Sequence, residues 1–541
     1  KLSKWGRNLF AYAEKLKKVT FSEEQQILPE YFAWKCTELQ QVIVSDALKM
    51  VGLAALEGTA FLKKFAEPKI WGTIFLDGKE QKNKVVIPDG VTAIAGGAFY
   101  GNSQITSLVL PETIEWIGER AFCSCTELKE VRLPKKVSVI SSGAFAYCTK
   151  LKQVFADGTI KEVGEKAFYQ CFSLESVPDF SQTKIGDYAF SGCREWKNGT
   201  IKKAQIGAYA LEETGLLKAQ FEKKWQTEKE RVIYTTSVII GDTIVDGSRA
   251  KGDVIFSTIS SEIRAIAPYA YYGNCQITRI VLPEGLKEIG DFAFCGCTRL
   301  CEVVIPDSVE RIGNSAFEKC CQLLTFSSAA TEVGKRAFSC NESLRFASLP
   351  HIKVGKKETF FHCSRLETLE IEEVVKIEEN CLKGCAALKQ ISFSQVKEIG
   401  IEAFAGCENL LSLCFSFGIQ IAAKAFLDCC KLRTVKFSDC LAEFDHSAFW
   451  GSTFLEEIWI AEKKYTIWGY EDLFSEELPE LVRRIYASAI GCFSFQDTKA
   501  IVEYRTDACA VRIPNGVTAI LEEVFKDCIR LEQVELPESV T

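Results

Sequence analysis

An aromatic residue, most often the Phe of an Ala-Phe pair, recurs every 21 to 23 residues through most of this 541-residue chain. The recurring positions are Phe99, Phe122, Phe145, Phe168 and Phe190, then Tyr271, Phe294, Phe317, Phe338, Phe360, Leu382, Phe404, Phe426 and Phe449. Self-similarity at such a period is typical of a solenoid, in which stacked units share one continuous core. We therefore predict a repeat solenoid with about 22–23 residues in each repeat.

Each repeat contains three recognisable segments. Apolar Val131 and Leu133 alternate with charged residues, which predicts a short strand. Pro134 ends the strand because proline has no N–H to donate to a neighbouring strand. An Ile-Gly pair then predicts a turn in which glycine supplies permissive φ. The phrase Ala-Phe-x-x-Cys-x-x-Leu follows, and its apolar spacing fits short helical or 3-10 turns that face inward.

Cysteine is common, with 24 residues, and half of them occupy one slot of the repeat, three residues after the recurring aromatic position. Asn, Thr or Ser fills this slot in other units. These side chains share small size and the ability to hydrogen-bond a buried backbone group. We therefore predict a column of buried, reduced thiols. The predicted ladder comprises Asn102, Cys125, Cys148, Cys171, Cys193, Asn274, Cys297, Cys320, Cys363, Cys385, Cys407, Cys429 and Cys528.

Two alternatives for the cysteines are less favoured. Distance alone permits a disulfide between successive slots, but Asn, Ser and Thr could not replace one. A zinc site needs four ligands at fitting spacing, and in each C-x-C pair one cysteine already belongs to the ladder. The sequence therefore predicts neither a metal site nor a cofactor.

The phrase at residues 87–102, Ile-Pro-Asp-Gly-Val-Thr-Ala-Ile-Ala-Gly-Gly-Ala-Phe-Tyr-Gly-Asn, resembles the BspA-like, Treponema-type leucine-rich repeat. The resemblance spans nearly all of the chain. It implies an α/β leucine-rich repeat solenoid, a right-handed curved coil with short parallel strands on its concave face and short helical or 3-10 turns on its convex face. It also implies a cell-surface or secreted protein that serves adhesion, with a ligand that varies between members.

The arrays of repeats are interrupted at regular places. Thr59, Thr214 and Ser452 replace the ladder cysteine in what we interpret as final repeats. Asp-Gly between apolar runs then predicts a hairpin before each restart, at Asp77 and Asp246, and we call each of these an opening hairpin. The stretch after each final repeat and the opening hairpin that follows it form either a cap on the array or an irregular continuation of the coil. The predicted domains are the tail of an upstream array at 1–66, a second array with its opening hairpin at 67–225, a third at 226–465, and a junction with the start of a further array at 466–541.

Composition narrows the function classes. The net charge of −7 argues against a nucleic-acid partner, which normally meets a basic patch. The apolar runs are short, for example Val238–Ile240, so no transmembrane segment is expected. The first residue is Lys1 and the single Met is Met50, so we expect a piece of a longer protein whose signal and anchor lie elsewhere.

No catalytic motif is recognisable. The sequence lacks a nucleophile elbow, a P-loop and an H-E-x-x-H zinc motif. A Cys-His enzyme would be the nearest candidate, but His362 is next to a ladder cysteine, which would point inward. The sequence therefore predicts a protein that is not an enzyme.

In the middle of the long array, from 325 to 434, the outward residues of the strands are unusually neutral, and Ser, Thr and Gln dominate among them. A hydroxyl-rich face suits hydrogen bonding to a polar ligand, and aromatic residues supply anchors. The simpler interpretation is a solvated sheet face, because Thr favours strands in any case. The predicted ligand-binding residues are Thr325, Ser327, Phe346, Thr368, Glu370, Gln390, Ser392, Ser412, Thr434, Lys436 and Trp459.

Three functions remain open from the sequence. The first is a non-catalytic adhesion module that binds a protein ligand, such as a host matrix or other cell-surface protein, or a glycan, on its concave face. The second is a structural spacer or stalk that displays another domain of a longer protein. The third, a carbohydrate-processing or other enzyme, would need a polar cluster with perturbed pKa values in a cleft.

Overall fold

The computed structural model describes residues 7–21, 26–44, 47–197, 201, 204–217, 237–240, 242–256, 262–393, 395–415, 418–438, 443–496, 500–506 and 508–540. The chain divides into two compact units, one formed by Lys1–Ile233 with Val238–Val245 and the other by Tyr234–Ser237 with Asp246–Thr541. Both are built from the predicted repeat, and together they make about 20 turns of mostly parallel strands with little helix. The predicted fold class is therefore confirmed. The boundaries of the four arrays stay a prediction.

Most turns of the first unit carry one longer and one two-residue strand, and the two kinds stack in separate parallel sheets. The longer strands are Lys18–Thr20, Gln41–Ile43, Asn83–Val86, Ile105–Val109, Glu130–Leu133 and Gln153–Ala156. The short strands are Ile27–Leu28, Met50–Val51, Ala93–Ile94, Trp116–Ile117, Val139–Ile140, Glu162–Val163, Lys184–Ile185 and Gln205–Ile206. A hairpin of Lys69–Trp71 and Ile74–Asp77 opens the second array, and its second strand pairs in parallel with Ala93–Ile94. Its turn lies at Gly72 and Thr73, so the prediction of a hairpin turn at Asp77 was wrong: Asp77 ends the second strand, and the strand that follows pairs with the next repeat instead. A 3-10 helix spans Leu62–Lys64, and strands Val238–Ile240 and Thr243–Asp246 follow where the second opening hairpin is predicted.

The second unit repeats this arrangement. Its longer strands are Gly252–Ile255, Ile277–Val281, Glu302–Val304, Thr325–Ser327, Phe346–Ser348, Thr368–Glu370, Gln390–Phe393, Ser412–Phe415, Thr434–Phe437 and Glu457–Ile460. Its short strands are Ala265–Ile266, Glu288–Ile289, Arg311–Ile312, Glu332–Val333, Val354–Gly355, Lys376–Ile377, Glu398–Ile399, Gln420–Ile421 and Glu443–Phe444. We call the surface formed by the longer strands the long-strand face.

After the long array the second unit changes character. Strand Lys463–Thr466 turns back antiparallel to Glu457–Ile460. A 3-10 helix, Tyr470–Phe474, and an α-helix, Glu480–Ile490, follow. The next array then starts with strands Phe493–Gln496, Ala500–Tyr504, Ala510–Arg512, Ala519–Ile520 and Gln533–Glu535. Its first two strands form an antiparallel hairpin, like the opening hairpin in the first unit.

The Ala-Phe phrase forms a series of tight turns that hydrogen-bond in two directions. The N–H of Cys123 donates to the carbonyl of Arg120 at 3.1 Å, the i→i−3 bond of a 3-10 turn. The N–H of Phe122 donates to Ala144 of the next turn at 2.8 Å. This alternation continues through the phrase and requires left-handed backbone at Arg120 and Ser124, with φ of 52° and 62°. The turn side of the solenoid is therefore joined between repeats by backbone bonds, as the strand sides are.

The recurring aromatic residues stack in a column inside each unit, and Leu382 interrupts the rings of the second unit. In the first unit the rings of Phe122, Phe145 and Phe168 follow one another with centroids 5.4 and 5.5 Å apart and nearly parallel planes. In the second unit the rings of Tyr271 and Phe294 lie 4.8 Å apart. These side chains are fully buried. Each ring therefore packs mainly against rings of the adjacent turns, which is the shared core that the period predicted.

The glycine of the Ile-Gly pair has a different role from the one expected. Gly118, Gly164 and Gly290 are not among the glycines with positive φ. Instead, a Cβ on Gly118 would lie 2.4 Å from the amide nitrogen of Gly96, and one on Gly290 would lie 2.5 Å from the nitrogen of Pro268. The expectation of permissive φ was wrong at these positions. Glycine is present because the backbone of the preceding turn approaches too closely for a side chain.

Replacing one ring of the aromatic column tests how much the shared core contributes. We expect Phe145→Ala to lower the free energy of unfolding by about 3–5 kcal/mol, because it opens a cavity between two rings that cannot close over it. Phe155→Ala is the matched control, since Phe155 lies on the long-strand face with 36% of its surface exposed. The control should cost less than about 1 kcal/mol in urea unfolding. Equal losses would contradict the role of the column.

Candidate binding surface

The predicted ladder cysteines other than Cys528 each bond to the turn before their own. The thiol of Cys148 donates to the carbonyl of Phe122 at 3.1 Å, and that of Cys171 donates to Phe145 at 3.1 Å. The same bond to the preceding aromatic position occurs at Cys125, Cys193, Cys297, Cys320, Cys363, Cys385, Cys407 and Cys429. Burial raises the pKa of Cys148 and Cys171 well above the ordinary range, so both thiols stay protonated. The structure places these side chains as neutral donors that bridge successive turns.

Two asparagines occupy the slot in the first repeat after an opening hairpin. The amide of Asn102 donates to the carbonyls of Gly78 and Gln81 at 3.0 and 2.8 Å. Asn274 bonds in the same way to Gly247 and Ala250. Gly78 and Gln81 lie in the loop between strands Ile74–Asp77 and Asn83–Val86, so this loop presents two carbonyls to the slot. An amide nitrogen has the two hydrogens that these carbonyls accept.

Thr59, Thr214 and Cys528 also occupy the slot, and the side chain of each contacts a carbonyl oxygen of its own turn. The hydroxyl of Thr59 donates to Leu56 within its own turn at 2.7 Å and accepts from Leu62, and Thr214 does the same with Leu211 and Leu217. The expectation that these threonines share the task of the cysteines was therefore wrong. Ser452 does follow the pattern, with its hydroxyl 3.2 Å from the carbonyl of Phe426. Cys528 is half-buried, and its sulfur lies 3.9 Å from the carbonyl of Lys526.

Asn341 occupies the slot in the middle of the long array, away from any opening hairpin. It is fully buried, and neither polar atom of its amide has a hydrogen-bond partner among the described residues.

Replacement of asparagine by cysteine should therefore have opposite effects on stability at Asn341 and at Asn102. We expect Asn341→Cys to raise the free energy of unfolding by about 1 kcal/mol, since it removes a buried unsatisfied amide.

Asn102→Cys is the matched comparison for that substitution. It should lower the free energy of unfolding by about 1–3 kcal/mol, because the carbonyls of Gly78 and Gln81 lose their shared amide donor. Urea unfolding of both variants and the unchanged chain gives the comparison. If both variants shift stability in the same direction, the assignment of hydrogen bonds in the slot is wrong.

The long-strand face of the second unit aligns the predicted ligand-binding residues in two columns. Register pairs Thr325 with Phe346 and Thr368, and pairs Ser327 with Ser348 and Glu370. Further along, Gln390 pairs with Ser412 and then Thr434, while Cys414 pairs with Lys436 and then Trp459. Ser392 lies in this second column, but its side chain is outside the described part of the structure. The predicted residues therefore share one face of parallel strands.

Exposure differs along the two columns. The side chains of Thr325, Ser327, Thr368, Glu370, Gln390 and Lys436 are exposed, and those of Phe346, Ser412, Thr434 and Trp459 are half-buried. Between strands Thr325–Ser327 and Ser412–Phe415, the ion pair found among the described exposed side chains on or directly beside the longer strands joins Arg345 to Glu367, 4.0 Å apart, and these two residues precede strands and lie outside the two columns. An ion pair between Arg279 and Glu302, 2.9 Å, lies before this stretch. We call the stretch from Thr325 to Thr434 the neutral strip.

The aromatic anchor at the end of the face is already engaged within the chain. The ammonium of Lys436 lies 4.8 Å from the ring centroid of Trp459. The indole N–H donates to Glu457 at 3.4 Å, and Glu457 also pairs with Lys464 of the antiparallel edge strand. Trp459 therefore helps to close the edge of the sheet, and Phe346 is the aromatic residue within the neutral strip.

Sequence reasoning missed the closure of the long array. Helix Glu480–Ile490 buries Val482, Ile485 and Ile490, and Ser488 accepts the N–H of Phe449 at 3.0 Å. In earlier repeats the equivalent N–H donates to the next turn. The helix therefore replaces a further turn. Apolar residues at i, i+3, i+4, i+7 and i+8 from Val482 carry the signal that could have predicted it.

A cavity of about 440 Å³ lies between this junction and the next array. Trp468 and Tyr486 form part of its wall, and Arg512 donates to Glu456 and Glu535 at 2.5 and 2.8 Å. Sequence reasoning did not find these residues because they come from three separate segments.

No cluster of three or more His, Cys, Asp or Glu side chains among the described residues could hold a metal ion. None of the described helices combines the length and apolar character that spanning a membrane requires.

The stacked turns, the parallel strands of alternating burial and the shared aromatic column define a leucine-rich-repeat solenoid. A model of the BspA type leucine rich repeat region matches six times, at residues 1–74, 68–197, 127–240, 264–389, 375–501 and 503–541. The chain belongs to the BspA-type leucine-rich repeat family. Among curated proteins no sequence matches it.

Several solved structures resemble the chain. A leucine-rich repeat protein of T. pallidum is 25% identical, with 33% of this chain and 88% of that chain covered and a TM-score of 0.29. One from Bacteroides ovatus is 20% identical, with 69% and 94% covered and a TM-score of 0.30. A leucine rich cell surface protein of Faecalibacterium prausnitzii is 20% identical, with 68% and 83% covered and a TM-score of 0.25. The family assignment of this chain rests on the six matches of the repeat.

Two carboxyl groups meet on the first unit at Glu30 and Glu119. Burial and the neighbouring Glu30 raise the pKa of Glu119 to about 7, while Arg7, which pairs with Glu30 at 3.1 Å, acts in the opposite direction. The folded chain therefore holds this proton more tightly than the unfolded chain. The stability that results is fully present below the ordinary pKa of 4.5 and is lost as the pH rises through about 7.

We expect the free energy of unfolding to fall between pH 5 and pH 8 by about 1 kcal/mol more in the unchanged chain than in Glu119→Gln. The difference in free energy is small because Glu119 is only half-buried, so solvent screens its interaction with Glu30. Urea unfolding across that pH range measures the difference. Glu112→Gln, at an exposed site, is the control and should keep the full dependence on pH. An unchanged slope in Glu119→Gln would contradict the paired carboxyls.

Proposed function

We propose that this chain is a non-catalytic binding module of a cell-surface or secreted protein, and that the neutral strip binds a protein or glycan ligand. The observation that supports this is the pair of columns of exposed or half-buried hydroxyl, amide and carboxylate side chains on the long-strand face between Thr325 and Thr434. Family membership supports a role in recognition, and one structural neighbour is named as a cell surface protein. That the ligand is a protein or a glycan is part of this proposal.

The geometry of the strip suits recognition of an extended polar surface. Neighbouring parallel strands lie about 4.8 Å apart, so the columns present one side chain per strand at regular spacing. The strip spans two adjacent sheets, one that ends at Thr368–Glu370 and one that starts at Gln390–Phe393. Within each sheet, strand pairing occupies backbone amides and carbonyls, so the ligand would meet mainly side chains. Strands held on both sides also lose little conformational freedom when a ligand binds, and such preorganisation favours affinity.

The charge pattern distinguishes the strip from the rest of the long-strand face. On the first unit this face carries Arg132, which pairs with Asp157 at 2.7 Å and lies over the ring of Phe155. Charged groups that pair with each other on a surface are costly to desolvate for a partner. Hydroxyl and amide groups cost less to desolvate and can both donate and accept hydrogen bonds. The strip is therefore the part of the face best suited to a neutral or weakly charged ligand.

Direct binding to the immobilised 541-residue chain tests the proposal, with a panel of extracellular matrix proteins and glycans as ligands. The test variant combines Thr368→Glu, Gln390→Glu, Ser412→Glu and Thr434→Glu. We expect saturable binding by the unchanged chain and a loss of at least about tenfold in affinity in this variant, since each carboxylate must be desolvated against the ligand.

The matched control adds the same four charges to the same array away from the long-strand face. It combines Thr331→Glu, Ser364→Glu, Val375→Glu and Ile401→Glu, all at exposed positions. Its affinity should remain within about twofold of the unchanged chain, and circular dichroism should be the same for all three proteins. Equal losses in both variants would exclude the strip as the site. No binding to any member of the panel would favour the alternative, a structural spacer that displays another domain.

A further inference from the structure

Two cysteines outside the ladder meet in the second unit although 79 residues separate them. The Sγ atoms of Cys430 and Cys509 lie 3.0 Å apart. Cys430 is buried at the end of the long array, directly after ladder residue Cys429, and Cys509 is half-buried just before strand Ala510–Arg512. The two thiols therefore connect the last repeats of one array to the first strand of the next.

This contact differs from the ladder. The thiol of Cys429 donates to the carbonyl of Phe404 at 3.4 Å, as the other ladder thiols do with the preceding turn. The side chain of Cys430 instead meets another sulfur. A disulfide bond is about 2.05 Å long, so a closure of about 1 Å would join the pair.

The segments that carry the two thiols are held in place by other bonds. The carbonyl of Cys509 accepts the N–H of Glu532 at 2.8 Å, and the carbonyl of Cys429 accepts the N–H of Leu432 at 2.9 Å. Between the segments, the N–H of Arg512 donates to the hydroxyl of Thr453 at 2.9 Å. The sulfurs therefore approach each other within a fixed interface, which lowers the entropic cost of joining them.

We propose that Cys430 and Cys509 form an intramolecular disulfide when the chain meets a low-molecular-weight disulfide, and that this bond fastens the end of the long array to the start of the next. The thiolate of half-exposed Cys509 attacks one sulfur of the oxidant and releases one small thiolate. The thiolate of Cys430 then attacks Sγ of Cys509 and releases the second. The two thiol protons pass to the two small thiolates, and two electrons reduce the oxidant to two thiols.

The surroundings of the pair set the rate of this reaction. Burial raises the pKa of both thiols above the ordinary value, and the nearby carboxylate of Glu408 acts in the same direction. Thiolate, the reacting form, is therefore scarce at neutral pH, and the reaction should accelerate as the pH rises. Once formed, the bond closes a long loop that includes helix Glu480–Ile490, which restricts the unfolded chain.

Peptide mapping of the whole chain tests the proposal. The protein is equilibrated with mixtures of reduced and oxidised glutathione, its free thiols are blocked, and its digest is searched by mass spectrometry for a peptide that joins Cys430 to Cys509. We expect this linked peptide in oxidising mixtures and its loss on reduction. The oxidised chain should also unfold at a temperature roughly 5 °C or more above that of the reduced chain.

Two variants make the result specific. Cys509→Ser should lack both the linked peptide and the shift in unfolding temperature, and Cys430→Ala provides the same test from the other side. Cys414→Ser removes an exposed cysteine on the long-strand face and should keep both. A lasting glutathione adduct at Cys509, a link from either residue to another cysteine, or no link in the most oxidising mixture would each overturn the proposal.

Discussion

The backbone hydrogen bond between successive turns is the interaction on which the rest of this structure depends. It recurs on the long strands, on the two-residue strands and on the tight turns of the Ala-Phe phrase. Because it fixes each turn directly on its neighbour, equivalent side chains form columns of rings, thiols and exposed polar groups. The same stacking brings the turns so close that some positions accept only glycine or a rearranged backbone, as at Gly118. The columns are thus a consequence of backbone pairing and not an independent cause of the fold.

The sequence was sufficient to predict what the period controls. The position of the aromatic column, the alternation of Val131 with charged neighbours and the location of the ladder cysteines all follow from equivalence between repeats. The nature of each ladder bond was less accessible. Thr59 and Cys148 occupy the same slot, yet the threonine bonds within its own turn and the cysteine bonds to the turn before it. Ser452, which also lies in a final repeat, bonds to the turn before it, so position in the repeat does not by itself determine the partner.

Features that break the period could not be predicted in this way. Helix Glu480–Ile490 ends the long array, and the helix and the strands after it bring Arg512 to Glu456 and Cys509 to Cys430. Each of these pairs joins segments more than 50 residues apart, so no spacing in the sequence marks them. The pair of Glu30 and Glu119 has the same origin on the first unit. Periodicity therefore describes the scaffold, whereas the chemistry that deviates from the scaffold appears only in three dimensions.

The two asparagines that follow the opening hairpins have a consequence for how such a protein changes over generations. Asn102 and Asn274 satisfy the carbonyls of the loop after each opening hairpin on one side and lie beside an ordinary turn on the other. Every repeat after them presents the same two surfaces to its neighbours, until a hydroxyl residue or a helix ends the array. Duplication or deletion of one whole repeat in between would leave both boundaries intact. The length of each array, and with it the length of the exposed strip, can therefore drift by single repeats without a new folding problem at either end.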